Sequence, residues 1–248
     1  TESNDSIKLS TYPELGSWED IEDGNMHVLR GIYSYGFENP SPIQQKAIPP
    51  MVARRDMIAQ AQSGTGKTGA FTVGTLNIID TSKKQTQAII MAPTRELAMQ
   101  ISCVFNDLGS YLKDYKVQLL VGGNSVDEDI KKLKDKDGPP HVIVGTPGRI
   151  HDMIRRNHVN VKNVKVLTLD EADEMLSTGF KDQVYNIFQY MPKDIQLCLY
   201  SATVPGEIAE LSKKFMRDPV KILVKSEMLT LEGISQFHIN MEDDQGKY

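Results

Sequence analysis

The sequence predicts an α/β fold: a mainly parallel β-sheet with helices on both faces. Three observations carry that expectation. Short apolar runs suited to buried strands recur at Met57–Ala61, Ala88–Ala92, Val117–Val121, Val142–Val144, Val166–Leu169, Leu197–Tyr200 and Val220–Val224. Stretches of helical period fall between most of them, and that alternation calls for right-handed crossovers between parallel strands. Five unusual segments then follow strand ends, which is the edge where sheets of this kind bind ligands.

Taken in order, Thr1–Gly16 is polar and aperiodic, so residues 1–17 are expected to form a flexible tail ahead of a folded domain over 18–225. Met57–Ala61 runs into a glycine-rich turn, and Gly69–Ile79 leaves it at helical period. Helices are predicted over Glu96–Leu108, Pro147–Arg156, Phe180–Tyr190 and Gly206–Met216. Lys134–Pro140 is charged and ends Gly-Pro-Pro, which marks a surface loop. After Lys225 the pattern changes: Ser226–Gly233 reads as a connector, and Ile234, Phe237, Ile239 and Met241 alternate like the start of a strand. Residues 226–248 are therefore expected to be a linker and the first strand of a second domain.

The chain has 248 residues, 40% hydrophobic and 25% charged, the balance of a soluble globular protein. A net charge of −5 argues against a generally basic nucleic-acid coat protein, but not against a local site of backbone amides and a few arginines. The two cysteines, Cys103 and Cys198, sit inside structured segments and are expected to be reduced and buried. No apolar signal core opens the chain and no apolar run is long enough to span a bilayer, so no membrane role and a cytoplasmic location are expected.

The most informative segment is Ala61-Gln62-Ser63-Gly64-Thr65-Gly66-Lys67-Thr68, in a strand–loop–helix setting. Gly64 and Gly66 allow a tight turn in which several N–H groups and a helix N-terminus point at one phosphate chain. Lys67 supplies a mobile charge for the outer phosphates, and the Thr68 hydroxyl suits Mg²⁺. About a hundred residues later Val164–Leu169 ends in Asp170-Glu171-Ala172-Asp173, placing Asp170 toward the metal, partly through water, and Glu171 toward an attacking water. Together the two segments imply binding and hydrolysis of a nucleoside triphosphate.

Seven segments in order make the chain resemble the DEAD-box ATP-dependent RNA helicases from about Trp18 to Met241. They are Gly36–Gln44, Ala61–Thr68, Pro93–Ala98, Gly122-Gly123, Thr146–Arg149, Asp170–Asp173 and Ser201–Thr203. The text around Asp170–Tyr185 and Phe215–Phe237 is similar to the initiation factor 4A branch of that family. The resemblance implies the N-terminal RecA-like P-loop domain of a two-domain enzyme using ATP and Mg²⁺. It implies that Gln44 reads the adenine edge and that Trp18 stacks on the base, although the spacing from Trp18 to Gly36 is one residue longer than expected. It implies that Ser201 and Thr203 join Asp173 in a network coupling nucleotide state to RNA binding. It assigns RNA contacts to Pro93, Thr94, Arg95, Gly123, Thr146, Pro147, Gly148 and Arg149, reading backbone rather than base.

The resemblance also implies partners: RNA, a C-terminal RecA-like domain of the same protein, and an initiation factor 4G-type scaffold, with the enzyme a monomer. The family takes its transition-state arginines from the second domain, and no arginine follows Arg217 here. The isolated chain is therefore expected to hydrolyse ATP very poorly. A translation-initiation helicase is the first reading; an ATP-dependent RNA clamp of the exon-junction type, working in the nucleus, is the second. Gly31-Ile32-Tyr33 and Asp152-Met153-Ile154-Arg155-Arg156 are similar to those clamp proteins.

Overall fold

The computed structural model describes residues 12–21, 24–177 and 179–224. All seven apolar runs form strands: β1 (Met57–Gln60), β2 (Ala88–Met91), β3 (Val117–Leu120), β4 (Val142–Gly145), β5 (Val166–Leu169), β6 (Gln196–Ser201) and β7 (Val220–Leu223). They make one sheet in the order β3-β4-β2-β5-β6-β1-β7, and every pairing is parallel. Residues 225–248, where the linker and further strand were expected, lie outside the described residues.

The pleat sorts the strand side chains into two cores. Met57, Ala59, Ala88, Ile90, Val142, Val144, Cys198 and Tyr200 point to one face, and Ile58, Ile89, Met91, Ile143, Leu167, Leu169, Leu197 and Leu199 to the other. Because both faces are covered, β2, β4, β5 and β6 are buried throughout their length, as parallel strands between helical layers should be. The first face is covered by α1 (Met26–Ser34), α2 (Pro42–Val52), α3 (Lys67–Ile78) and α4 (Arg95–Leu108). The second is covered by α5 (Val126–Leu133), α6 (Pro147–Arg155), α7 (Ala172–Ser177), α8 (Lys181–Tyr190) and α9 (Gly206–Phe215).

Two expectations are corrected. The stretch Tyr12–Gly16 is not a loose tail: Leu15 is 3% exposed and its N–H donates to Gln45 O at 2.9 Å. The reason lies in α2, which carries Pro49 and Pro50 in its interior. Pro49 has no N–H to return to the carbonyl four residues earlier, so Gln45 O is left for Leu15. Residues before Tyr12 lie outside those described. The cysteines are both free, but only Cys198 is buried; Cys103 faces solvent on the outer side of α4. Among the described residues no helix is long and apolar enough to cross a membrane.

Candidate nucleotide and nucleic-acid site

Sheet order divides the singled-out segments into two neighbouring groups. The glycine loop, Asp170 and Ser201 follow β1, β5 and β6, which are contiguous in the sheet. Gly123, Pro93–Arg95 and Thr146–Arg149 follow β3, β2 and β4, the other contiguous block. With all strands parallel, both groups share one carboxyl edge, side by side.

In the first group the loop wraps the start of α3. Ala61 is buried and its N–H donates to Ser201 O at 3.0 Å; Thr65 Oγ1 donates to Gln62 O at 2.9 Å. Gly64 and Gly66 have φ of +81° and +98°, left-handed values that glycine reaches without strain. At Gly66 a side chain would also meet Ser41 Oγ at 2.7 Å and Gln44 Nε2 at 2.9 Å. Those two residues bolt the loop to α2: Ser41 Oγ donates to Thr65 O at 2.9 Å, and Gln44 Nε2 to Gly66 O at 3.2 Å. Gln44 Oε1 also accepts from Ser41 N at 2.7 Å, closing a capping box. Gln44 is thus 4% exposed, with one N–H and one lone pair still uncommitted for a base edge.

Trp18 is not where a base could stack on it. Its ring is 2% exposed and lies against Phe37, centroids 5.9 Å apart and planes 14° from parallel. Phe37 is the half-buried aromatic that reaches the loop. A side chain at Gly69 would meet Phe37 at 3.0 Å and Gln44 Nε2 at 2.5 Å, so Phe37, Gln44 and the first turn of α3 converge. Sequence reading missed Phe37 and Ser41, although the spacing Ser41-x-x-Gln44 spells a capping box.

The charged centre is compact. Lys67, 5% exposed, places Nζ 2.8 Å from Glu171 Oε1 and 4.0 Å from Asp170 Oδ1. Ser63 Oγ donates to the same Glu171 oxygen at 3.1 Å, and Glu171 takes a left-handed φ of +49°. Asp170 is 2% exposed and receives one hydrogen bond, from Glu171 N at 3.1 Å. Burial pushes its carboxyl up to about 6, outweighing the pull of Lys67. A buried carboxylate with one donor and a lysine at 4.0 Å fits a hard dication, and the half-buried Thr68 hydroxyl makes no hydrogen bond among the described residues. Among the described residues no group of three or more His, Cys, Asp or Glu is placed to hold a metal ion.

Asp173 faces away from this centre. Its Oδ2 accepts from Thr203 Oγ1 at 2.6 Å and Thr203 N at 3.1 Å, while its N–H donates to Ser201 Oγ at 3.4 Å. Burial works to raise its carboxyl, but these donors prevail and hold it below the usual range. The expected tie between the Asp170–Asp173 segment and the turn after β6 is therefore formed.

In the second group Thr94 Oγ1 caps α4 by accepting from Leu97 N at 3.2 Å, and Pro93 is buried beneath it. Thr146 starts α6 without a side-chain cap, and Gly148 opens onto free space. Gly123 has φ of +84°, and the guanidinium of Arg95 lies over its Cα where a side chain would collide. Arg95 is exposed and forms no ion pair among the described residues. Arg149 behaves differently. It pairs with the buried carboxylate of Asp129, donates to Asn124 O at 2.9 Å, and is 9% exposed. Its hydrogen-bonding fork is committed inside the protein, so it braces the loop after β3 against α6. Asp129 was invisible in sequence because it stands in the acidic run Asp127-Glu128-Asp129, where nothing marks the buried member.

The family model described as DEAD/DEAH box helicase matches residues 41–211, which span both groups. Among curated proteins, the ATP-dependent RNA helicase FAL1 of Mycosarcoma maydis is 50% identical over 248 residues, 100% of this chain and 60% of that protein. Eukaryotic initiation factor 4A of Drosophila melanogaster is 52% identical over 240 residues, 96% of this chain and 58% of that protein. A DEAD box protein from Methanococcus jannaschii superposes with a TM-score of 0.81 at 38% identity, covering 87% of this chain and 58% of that one. Dbp5 of S. cerevisiae, bound to RNA and ADP BeF3, gives 0.78 at 35% identity, with 90% and 55% covered. The chain therefore spans 60% or less of the length of these relatives.

Proposed function

The chain belongs to the DEAD/DEAH box helicase family, and from that premise we propose that it is the ATP-binding half of an RNA helicase of the initiation factor 4A type. The observation that carries this reading is the division of the carboxyl edge: a phosphate-and-carboxylate group on β5-β6-β1 beside a helix-start and arginine group on β3-β4-β2. ATP would lie with its base against Phe37 and the Gln44 amide, Trp18 buttressing Phe37 from behind. Its phosphates would take the N–H groups of Gln62–Thr68 and the ammonium of Lys67. Asp170 and Thr68 would hold Mg²⁺, which when bound neutralises developing phosphate charge. Glu171 would orient the hydrolytic water once phosphate draws Lys67 away.

RNA would cross the neighbouring block, meeting the N-termini of α4 and α6, the backbone at Gly123 and the Arg95 guanidinium. Such contacts are sequence-independent. The Asp173–Thr203–Ser201 network lies between the two blocks' chemistry and would report nucleotide state to the RNA edge. A second RecA-like domain would supply arginines to the phosphates, and closure of the two domains would strain a short duplex apart. The proposal includes work in cytoplasmic translation initiation, as a monomer on an initiation factor 4G-type scaffold, a reading that similarity to initiation factor 4A proteins supports.

A second reading is a nuclear, long-lived RNA clamp. It is favoured by similarity to FAL1 and, at 49% identity over 240 residues, to the rice initiation factor 4A-III homolog B. The test compares ATP turnover of this chain with that of a two-domain protein at saturating RNA. Near-silence of the chain beside an RNA-stimulated two-domain enzyme supports the proposal, whereas equal turnover refutes it. RNA release on each turnover in the two-domain protein marks the helicase, and a complex outlasting hydrolysis marks the clamp.

A further inference from the structure

A cavity lies on the opposite, amino edge of the sheet. It measures about 750 Å³ and is walled by Leu15, Ile21, Ile48, Pro49, Val52 and Ile78. That volume and apolar lining are typical of small-molecule sites. Two cations reach it: Arg54, three residues before β1, and Lys165, immediately before β5. Neither has a carboxylate within ion-pair distance among the described residues. Each is instead anchored to a carbonyl, Arg54 Nη2 to Lys165 O at 2.7 Å and Lys165 Nζ to Ile78 O at 3.0 Å. The carboxylates at the rim are engaged elsewhere: Glu14 with Lys46 at 3.6 Å, and Asp20 with Ser17 N at 2.8 Å.

We propose that this cavity is a binding site for an amphipathic organic anion, an apolar ring system carrying a sulfonate, carboxylate or phosphate. The apolar walls would take the ring, and Arg54 with Lys165 the anionic group. Burial lowers the proton affinity of both cations, and Arg54 lowers that of Lys165 further. The site is separate from the phosphate loop. Helix α3 starts at Lys67 in that loop and ends at Ile78 in the cavity wall, 12 residues or about 18 Å away.

The test is fluorescence titration of the folded chain with 8-anilinonaphthalene-1-sulfonate, and with uncharged N-phenyl-1-naphthylamine as the same ring system without the anion. One saturable equivalent of the sulfonate is expected, with the neutral probe weaker by about tenfold because it forfeits a charge-assisted contact. Saturating ATP should leave the sulfonate bound. Lys165→Met and Arg54→Gln should each weaken it by about tenfold while leaving the neutral probe unchanged. Val52→Trp, which adds bulk to the apolar wall and leaves both cations in place, should abolish both signals and covers the case where a charge variant misfolds. Displacement by ATP, non-saturating binding, or sulfonate affinity equal to the parent's in the charge variants and in Val52→Trp would overturn the proposal.

Discussion

Lys67 and Glu171 are held to each other across the proposed nucleotide site, Nζ to Oε1 at 2.8 Å, with Ser63 Oγ on the same oxygen at 3.1 Å. The lysine expected to meet phosphate and the carboxylate expected to meet water therefore neutralise one another before either meets its target. Binding of a phosphate chain must break this pair.

Glu171→Gln removes the competing charge while keeping a hydrogen-bond acceptor. ATP affinity of the chain should rise about three- to tenfold, the range of a partly buried ion pair worth about 1 kcal/mol. Lys67→Ala should act oppositely, since it leaves Asp170 and Glu171 facing the phosphates unbalanced. Titration with a fluorescent ATP analogue reads both, and a loss of affinity in Glu171→Gln would show that the pair does not compete with nucleotide.

Trp18 and Phe37 should separate stability from binding. Trp18 is buried and its indole N–H has no partner among the described residues, so Trp18→Phe keeps the stack and removes an orphaned donor. Its ATP affinity should match the parent, and its melting temperature should move little. Phe37→Ala should weaken ATP binding several-fold. If Trp18→Phe loses ATP affinity while Phe37→Ala retains it, the base rests on Trp18 after all.

How much of this was legible beforehand varies by element, for physical reasons. The strands were readable because both faces of the sheet are covered, which writes β2 and β4 as unbroken apolar runs. Helix α2 was not, because Pro49-Pro50 inside it reads as a breaker; the structure tolerates the pair by handing Gln45 O to Leu15 N. Helix α5 was hidden by its short, charged sequence, Val126–Leu133. In the site, the phosphate loop and the Asp173–Thr203 tie were legible since fixed chemistry needs fixed residue types. Which arginine is free was not: Arg95 and Arg149 look alike until Asp129 is brought beneath one of them by the β3–β4 pairing.

His141 gives a pH dependence remote from the nucleotide site. It is 2% exposed, and its Nδ1 accepts from Lys116 N at 3.2 Å. Burial holds its pKa below the ordinary 6.5, and nearby Lys116 works the same way. The unfolded chain then binds the proton more readily than the folded one, so stability is complete above 6.5 and declines as pH falls below it. Chemical denaturation at a series of pH values should show that decline between neutrality and pH 5, and His141→Gln should flatten it. An unchanged slope in the variant would assign the decline to other groups.

The two arginines on the RNA block should differ in kind. Arg95 is exposed and free to meet a phosphate, so Arg95→Ala should weaken single-stranded RNA binding equally across sequences. It should also reduce the slope of log affinity against log salt by about 0.7, the value for one phosphate contact on a single strand. Arg149 is tied to Asp129 and to Asn124 O, so Arg149→Lys should leave that slope unchanged. It should instead cost stability, because lysine cannot reproduce the fork and leaves Asp129 poorly paired. Asp129→Ala removes the partner from below and should destabilise by about 3–5 kcal/mol, as breaking a buried pair does. RNA titrations at several salt concentrations, run beside thermal melts, read both quantities. A loss of about 0.7 in salt slope in Arg149→Ala, with stability intact, would mean that Arg149 leaves Asp129 to bind phosphate.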